Sequence, residues 1–337
     1  MADITETLRS RLPTSVRRRL GKVKRRVLRQ PGPPAPEPSP AVVTPEPPQR
    51  SRLETRRDMV FASAKRDGLF LEIGPAHNAI LPKRDGFNTQ TVDYLDRAGL
   101  VDKYSEFAHY DPESIEEVDH VLPPDGSMLK EIDERFDLVL ASHVLEHTTS
   151  LIDFLNECTP LLAGDGVLAL VVPDHRYCFD RFRERSSLGR VIDTSLNPPR
   201  VHTVGTLTEF AINAVRHRGT GSWSAGHKGR YRLIHDLDQV REHAAMAEGE
   251  EYVDVHNWIF SPNHLRLMLK DLHDLGYITL RECFFHETIG HEFFLNLKVD
   301  GPGPKLTREE LLALADAERR VDRPVFGPRK TEDTKTP

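Results

Sequence analysis

The 337-residue sequence predicts an α/β fold: a doubly wound, seven-stranded, mostly parallel sheet with a helical insertion after the fifth strand. Three observations carry the prediction. Five short apolar runs alternate with helical patterns, which is how strands of a parallel sheet covered on both faces read. Two further runs near the C-terminus follow each other with no room for a crossover helix, so they must pair as an antiparallel hairpin. No segment repeats with a period of about 20–50 residues, so the alternation is not that of a solenoid.

Taken in order, a charged helical stretch runs from Arg52 to Lys65. The apolar runs are Leu69 to Ile73, Thr91 to Tyr94, Val118 to Leu122, Phe136 to Ser142, and Val167 to Val172. Helical patterns fall between them at Asp96 to Ser105, Ser127 to Glu134 and Leu151 to Leu162. The segment 178–257 carries helical patterns of its own, Leu207 to Arg218 and Leu237 to Ala247. Ser261-Pro262 then reads as an N-cap followed by proline at the first helical position. The stripe Leu265, Met268, Leu269, Leu272 and Leu275 carries that helix to Gly276. Tyr277 to Phe285 and Glu292 to Val299 form the hairpin.

The first fifty residues stand apart. Residues 1–30 hold ten Lys/Arg against Asp3 and Glu6, and residues 31–48 hold nine prolines. Leu8, Leu12, Val16, Leu20, Val23 and Val27 recur at helical spacing among the arginines, so residues 8–29 read as a cationic amphipathic segment. Such a segment suits an anionic membrane surface or an acidic partner. The Pro-rich stretch cannot supply amides to a helix or sheet and reads as an extended tether. The expected organisation is a disordered arm and linker at 1–50, a core domain at 51–177 with 258–300, a cap or acceptor insertion at 178–257, and a helix and tail at 301–337.

Composition excludes several classes. No run of about 18 apolar residues occurs, and the basic N-terminus lacks a secretory apolar stretch. Three cysteines, Cys158, Cys178 and Cys283, have no metal-ligand spacing and point to a reducing, cytoplasmic compartment with peripheral membrane attachment through the arm. Net charge is −6 overall, and the first thirty residues carry +8, so the body is strongly acidic. That disfavours a specific nucleic-acid partner.

In an open parallel sheet, ligands bind beyond the carboxyl ends of the strands. Glu72-Ile73-Gly74-Pro75 closes the first run, and Asp93 closes the second, where an acid holds ribose hydroxyls in nucleotide-type sites. The fourth run continues as Ser142-His143-Val144-Leu145-Glu146-His147, and Leu161-Leu162-Ala163-Gly164-Asp165-Gly166-Val167-Leu168 leads into the fifth. In this order and spacing the sequence resembles the class I S-adenosylmethionine-dependent methyltransferases, in particular their type 11-like small-molecule branch, over about 69–173. The resemblance implies the Rossmann-like methyltransferase fold and S-adenosylmethionine as cofactor. It departs from the family's pattern at the first loop, where only Gly74 remains of the usual two or three glycines. The missing glycines also disfavour a dinucleotide cofactor, which needs them to pass a pyrophosphate.

By that resemblance, Gly74 lies under the methionine part of the cofactor and Glu72 orders the loop. Asp93 accepts from the ribose hydroxyls, Tyr94 packs near the adenine, and Asp119 (or His120) sits at the adenine edge. Ser142 and His143 flank the methionine and the methyl group. Transfer to an oxygen needs a proton acceptor, and histidine is the usual one near neutral pH. The candidates are His147, after the fourth strand, and His175, in the Asp174-His175-Arg176-Tyr177 segment after the fifth; His256 is a weaker third. Asp174, Asp180 and Asp254 are too scattered in sequence to suggest a metal, so none is expected. Arg181, Arg183, Arg200, His202, Arg216, His217, Arg230 and Arg232 in the insertion suit a polar acceptor. The expected activity is methyl transfer to a small-molecule or glycan-type acceptor, as O-methylation. The alternative is a non-catalytic scaffold of the same fold.

Overall fold

The computed structural model describes residues 51–105, 111–122, 132–217, 220–221, 223, 230–249, 252–319 and 325–326. The basic arm, the Pro-rich stretch and most of the expected helix Ser127 to Glu134 lie outside them.

Helix α1 (Arg52–Val60) starts with a capping box in which the Ser51 hydroxyl accepts from Glu54 N and the Glu54 side chain accepts from Ser51 N. It leads to β1 (Phe70–Ile73), all four residues of which are buried. β2 (Thr89–Asp93), α2 (Arg97–Tyr104), β3 (His120–Val121) and β4 (Phe136–Ser142) follow. Asp96 caps α2 by accepting from Gly99 N. Next come α3 (Leu151–Cys158) and β5 (Leu162–Pro173). The expected helix Leu151 to Leu162 ends early because Pro160 tightens its last turn into a 3₁₀ segment.

The segment between β5 and the next core helix is richer than a helical insertion. It holds α4 (Leu188–Leu196), α5 (Val204–Asn213), β6 (Val215–His217), β7 (Thr220–Gly221), β8 (Arg230–Leu233) and α6 (Leu237–Met246). The helix expected to run to Arg218 stops at Asn213, because Val215 to His217 pair with β8 instead. The chain returns to the core through α7 (Pro262–Asp274), β9 (Arg281–Ile289) and β10 (Glu292–Lys298), and continues to α8 (Arg308–Glu318) and β11 (Val325–Phe326).

The main sheet has seven strands in the order β3-β2-β1-β4-β5-β10-β9. The first five are parallel, and β10 pairs antiparallel with both β5 and β9. Strand order reverses at β1, so β1 and β4 flank the topological switch point where ligands bind in such sheets. Apolar side chains cover both faces. One cluster gathers Leu71, Val139, Leu168, Trp258, Leu265 and Leu295 among others. The other joins Val60 and Phe61 to Phe70, Leu138, Leu140 and Phe294. No α-helix crosses from β1 to β2; Pro82 allows only a 3₁₀ turn at Lys83–Asp85. Ile80 and Leu81, fully buried in the second cluster, take the place of the missing helix. A second sheet of four short strands, β11-β8-β6-β7, is built mainly from the insertion.

Candidate functional site

A cavity of about 640 Å³ lies over the carboxyl ends of β1, β2 and β4, within the range of about 300–1,000 Å³ usual for small-molecule sites. Ile73 and Gly74 enter it from β1, Asp93 and Tyr94 from β2, and His143, Val144 and His147 from the turn after β4. Lys103 and Tyr104 of α2, Asp153 of α3, and Arg200, Tyr252 and Asp254 of the insertion complete its walls.

The loop after β1 is held from inside. The buried Glu72 carboxylate accepts from Ile80 N at 2.7 Å and Leu81 N at 2.9 Å, so a strand residue folds the segment 74–81 back on itself. Burial pushes this carboxyl up to about 7, against the two amides, which favour the charged form. Gly74 has φ +59, and a Cβ there would stand 3.2 Å from Val144 Cγ2. Ala76, with φ +43, takes a left-handed conformation that glycine would adopt without strain.

Asp93 ends β2 with its carboxylate accepting from Tyr94 N at 2.8 Å. Burial raises it to about 6, opposed by that amide and by Lys103. The Lys103 ammonium lies 5.0 Å from the Tyr94 ring centre and donates to Asp254 Oδ2 at 2.7 Å. Burial alone would lower its pKa, but the Asp254 carboxylate raises it above the ordinary value. Tyr252 faces Tyr94 across the cavity with ring centres 5.7 Å apart. A buried acid, two tyrosines and a glycine-permitted approach of the backbone suit an adenosyl group with its ribose.

The turn after β4 is a 3₁₀ segment, Leu145–His147, and not the first turn of a helix. His143 enters it with φ +55 and donates from Nε2 to Glu292 Oε2 at 2.9 Å. Burial would raise the Glu292 carboxyl, but His143, Arg56 and Arg52 hold it down at about 2. His147 Nδ1 stands 2.8 Å from Asp254 Oδ1. Burial lowers the His147 pKa, while Asp254 and Glu146 raise it, and the net shift is upward. His256, buried, is hydrogen-bonded at Nδ1 to Asp180. Its ring centre lies 4.7 Å from that of His147.

Of the residues expected from sequence, Gly74, Asp93, Tyr94, His143 and His147 line the cavity, and Glu72 braces its loop from beneath. Three are placed elsewhere. Asp119 is occupied by Lys83 Nζ at 2.6 Å and Thr91 N at 2.7 Å, and Leu122 takes the cavity wall at that strand end. The Ser142 hydroxyl accepts from Arg56 Nη2 at 2.7 Å, behind the cavity. His175 is half-buried in the turn after β5, where its amide donates to Phe260 O, and desolvation lowers its pKa to about 4. Of the insertion's cationic candidates, Arg183 pairs with Asp180 and Glu209, Arg181 donates to Arg176 O, and, among the described side chains, Arg200 lines the cavity. Lys103, Tyr104, Tyr252 and Glu146 were not singled out in the sequence. Lys103 and Asp254 are 151 positions apart, so no local spacing could have joined them.

Residues 97–170 match a family described as "Methyltransferase domain". Among solved structures, the chain is similar to the CcbJ methyltransferase of Streptomyces caelestis, with 14% identity, 74% of this chain and 96% of that one covered, and a TM-score of 0.38. An S-adenosylmethionine-dependent methyltransferase of Clostridium acetobutylicum follows at 10% identity, coverages of 74% and 90%, and a TM-score of 0.37. The glycopeptide N-methyltransferase MtfA, complexed with S-adenosylmethionine, stands at 10% identity, coverages of 73% and 93%, and 0.35. No curated protein sequence matches the chain. Among the described residues, no helix is long and apolar enough to cross a membrane.

Proposed function

We propose that the chain is an S-adenosylmethionine-dependent methyltransferase of the class I fold and that it methylates a hydroxyl of a polar small molecule, of glycan type, over the turn that carries His143 and His147. The observation that carries this reading is one cavity that brings Gly74, Asp93, Tyr94 and Lys103 together with His143, His147 and Asp254.

Bound over Gly74 and Asp93, S-adenosylmethionine would supply an electrophilic sulfonium methyl. The protein's own share is positioning and proton removal. Gly74 lets the backbone approach, and Glu72 keeps the loop folded from beneath. Asp93 offers a carboxylate to paired hydroxyls. In-line displacement depends on alignment, and holding both partners can supply several kcal/mol. An alcohol must also lose its proton as it attacks, and His147, held by Asp254, is the candidate on the cavity wall. The half-exposed Trp223 lies 5.7 Å from the His143 ring and 5.2 Å from Phe179, which supports a ring-bearing acceptor that packs on aromatic faces. The alternation in residues 8–29 supports attachment of the enzyme to an anionic membrane surface or acidic partner.

The test is a calorimetric titration of the full chain with S-adenosylmethionine and S-adenosylhomocysteine, beside Asp93→Ala. Micromolar binding, weakened at least tenfold in the variant, is expected from hydrogen bonds to a charged group worth about 1.5–3 kcal/mol. Methyl transfer to a panel of hydroxylated acceptors follows. A folded chain that binds neither ligand would return the fold to the scaffold reading.

A further inference from the structure

Three histidines converge on one carboxylate beside the cavity. Glu146 Oε1 lies 3.6 Å from His143 Nδ1, 3.8 Å from His147 Nε2 and 3.9 Å from His256 Nε2. The ligand atoms of Glu146, His147 and His256 all lie within 4.8 Å of one another. Glu146 is fully buried, and neither of its carboxylate oxygens has a hydrogen-bond partner among the described residues. A buried, unpartnered carboxylate is costly to the fold unless a cation compensates it.

The far nitrogen of each histidine lies beside a different carboxylate. His143 Nε2 meets Glu292, His147 Nδ1 stands beside Asp254, and His256 Nδ1 is hydrogen-bonded to Asp180. A neutral imidazole that gives its N–H to the outer carboxylate turns the lone pair of its other nitrogen toward Glu146. The electron-rich atoms of Glu146, His147 and His256 then face one another, and a positive charge between them makes the arrangement favourable. Outer carboxylates that fix the tautomer of inward-facing histidines are the usual surroundings of a metal site. Ligands about 2.1 Å from a tetrahedral ion lie about 3.4 Å apart, and His147 and His256 stand 3.8 and 3.9 Å from Glu146, close to that spacing.

The backbone holds this geometry. The Glu146 carbonyl accepts from Asn257 N at 2.7 Å and Trp258 N at 3.0 Å, which locks the segment bearing His256 onto the turn bearing the other three. Two neighbouring clusters lack the same signature. Glu292 is already neutralised by Arg52 and Arg56, and Asp180 by Arg183.

We propose that Glu146, His147 Nε2 and His256 Nε2 bind a divalent first-row transition ion, zinc being the simplest probe, with His143 beside the fourth, open position. Imidazole-rich sets favour zinc, iron, nickel or copper over magnesium. The proposal deepens the methyl-transfer reading and rests on it for its role. His143 and His147 line the cavity, so an ion held there can take an acceptor hydroxyl as a further ligand and lower its pKa. The O–H bond then breaks with its proton passing to water, and the electron pair stays on oxygen. That pair forms the O–C bond to the methyl carbon as the S–C pair returns to sulfur. In this form His147 is a ligand, and the ion replaces it in activating the hydroxyl.

The experiment uses untagged full-length protein, stripped with a chelator and shown by circular dichroism to remain folded. It is titrated with Zn²⁺ by calorimetry and with Co²⁺ by visible absorption, beside the isosteric Glu146→Gln and the outer-carboxylate variant Asp180→Asn. The expected result is one ion per chain at micromolar affinity or tighter, with cobalt bands of nitrogen/oxygen ligation. Affinity falls at least tenfold in Glu146→Gln, and about 10–100-fold in Asp180→Asn. Folded wild-type protein that takes up no stoichiometric ion overturns the proposal, as does Glu146→Gln binding zinc like wild type; in either case histidinium protons neutralise Glu146. S-adenosylmethionine titrations on the same samples separate the two readings. Cofactor binding without metal uptake removes the ion alone, whereas a folded chain without cofactor binding removes the methyl-transfer reading.

Discussion

His147 Nδ1 stands 2.8 Å from Asp254 Oδ1, and the other oxygen of Asp254 accepts from Lys103 at 2.7 Å. One carboxylate from the insertion thus ties the turn after β4 to α2 across the cavity. Burial would raise the Asp254 carboxyl, but His147 and Lys103 hold it well below the carboxylate range. Asp254→Asn keeps the shape and removes the charge. We expect kcat for methyl transfer to fall about 10²-fold, the order that follows from slight misplacement of reacting groups. Cofactor affinity should change less than tenfold, which steady-state kinetics beside calorimetry will show.

Asp93 makes cofactor binding depend on pH. Its folded pKa, about 6, is above the ordinary 3.8 because of burial. Its contribution to stability is therefore complete below about 3.8 and is lost as pH rises through about 6. Cofactor affinity runs the other way, because hydroxyls donate to the carboxylate form. Below pH 6 affinity should fall by up to about tenfold per pH unit. In Asp93→Asn that slope should vanish. A slope unchanged in the variant would assign the dependence to another group.

The two histidine candidates differ in placement. His147→Ala should reduce methyl transfer at least about 10²-fold. His175→Asn, which alters a half-buried residue outside the cavity wall, should leave cofactor affinity unchanged and lower thermal stability. Equal losses of transfer in both variants, with both folded, would contradict the assignment.

Gly74→Val joins two penalties: a side chain at φ +59, and a Cβ 3.2 Å from Val144 Cγ2. The left-handed conformation alone costs about 1–2 kcal/mol. Thermal melts should show a Tm several degrees lower, and cofactor affinity should fall with it.

For the arm, the full chain should sediment with vesicles containing anionic lipid at low salt. Arg17, Arg18 and Arg19 changed together to Glu should abolish this, at about 1 kcal/mol per basic residue removed from the surface. Sedimentation that persists in the variant would remove the arm's role.

Much of the architecture could be read along the chain, because burial leaves a periodic mark. β1, β4 and β5 are apolar runs because both their faces are covered, and the closing hairpin followed from the lack of chain between two runs. Gly74, Asp93, His143 and His147 were legible because strand ends of a parallel sheet gather at one edge whatever the rest of the chain does. The short strands β6 to β8 were not, since two to four residues cannot show a period. Asp119, Ser142 and His175 carried the right residue types, and only packing revealed that Lys83, Arg56 and the turn after β5 had claimed them.

The local alternation of apolar and polar residues determined the sheet, its switch point and the family resemblance, since each depends on neighbours a few positions apart. The tertiary structure alone decided how the site is wired. Lys103 with Asp254, His143 with Glu292, and His256 with Asp180 are joined across 151, 149 and 76 positions. No acids cluster at ligand spacing in the sequence: Glu146 and His147 come from one segment and His256 from another that also carries Asp254, while Asp180 and Glu292 come from two more. Charge pairing acts through space, and only the folded chain shows which charges meet.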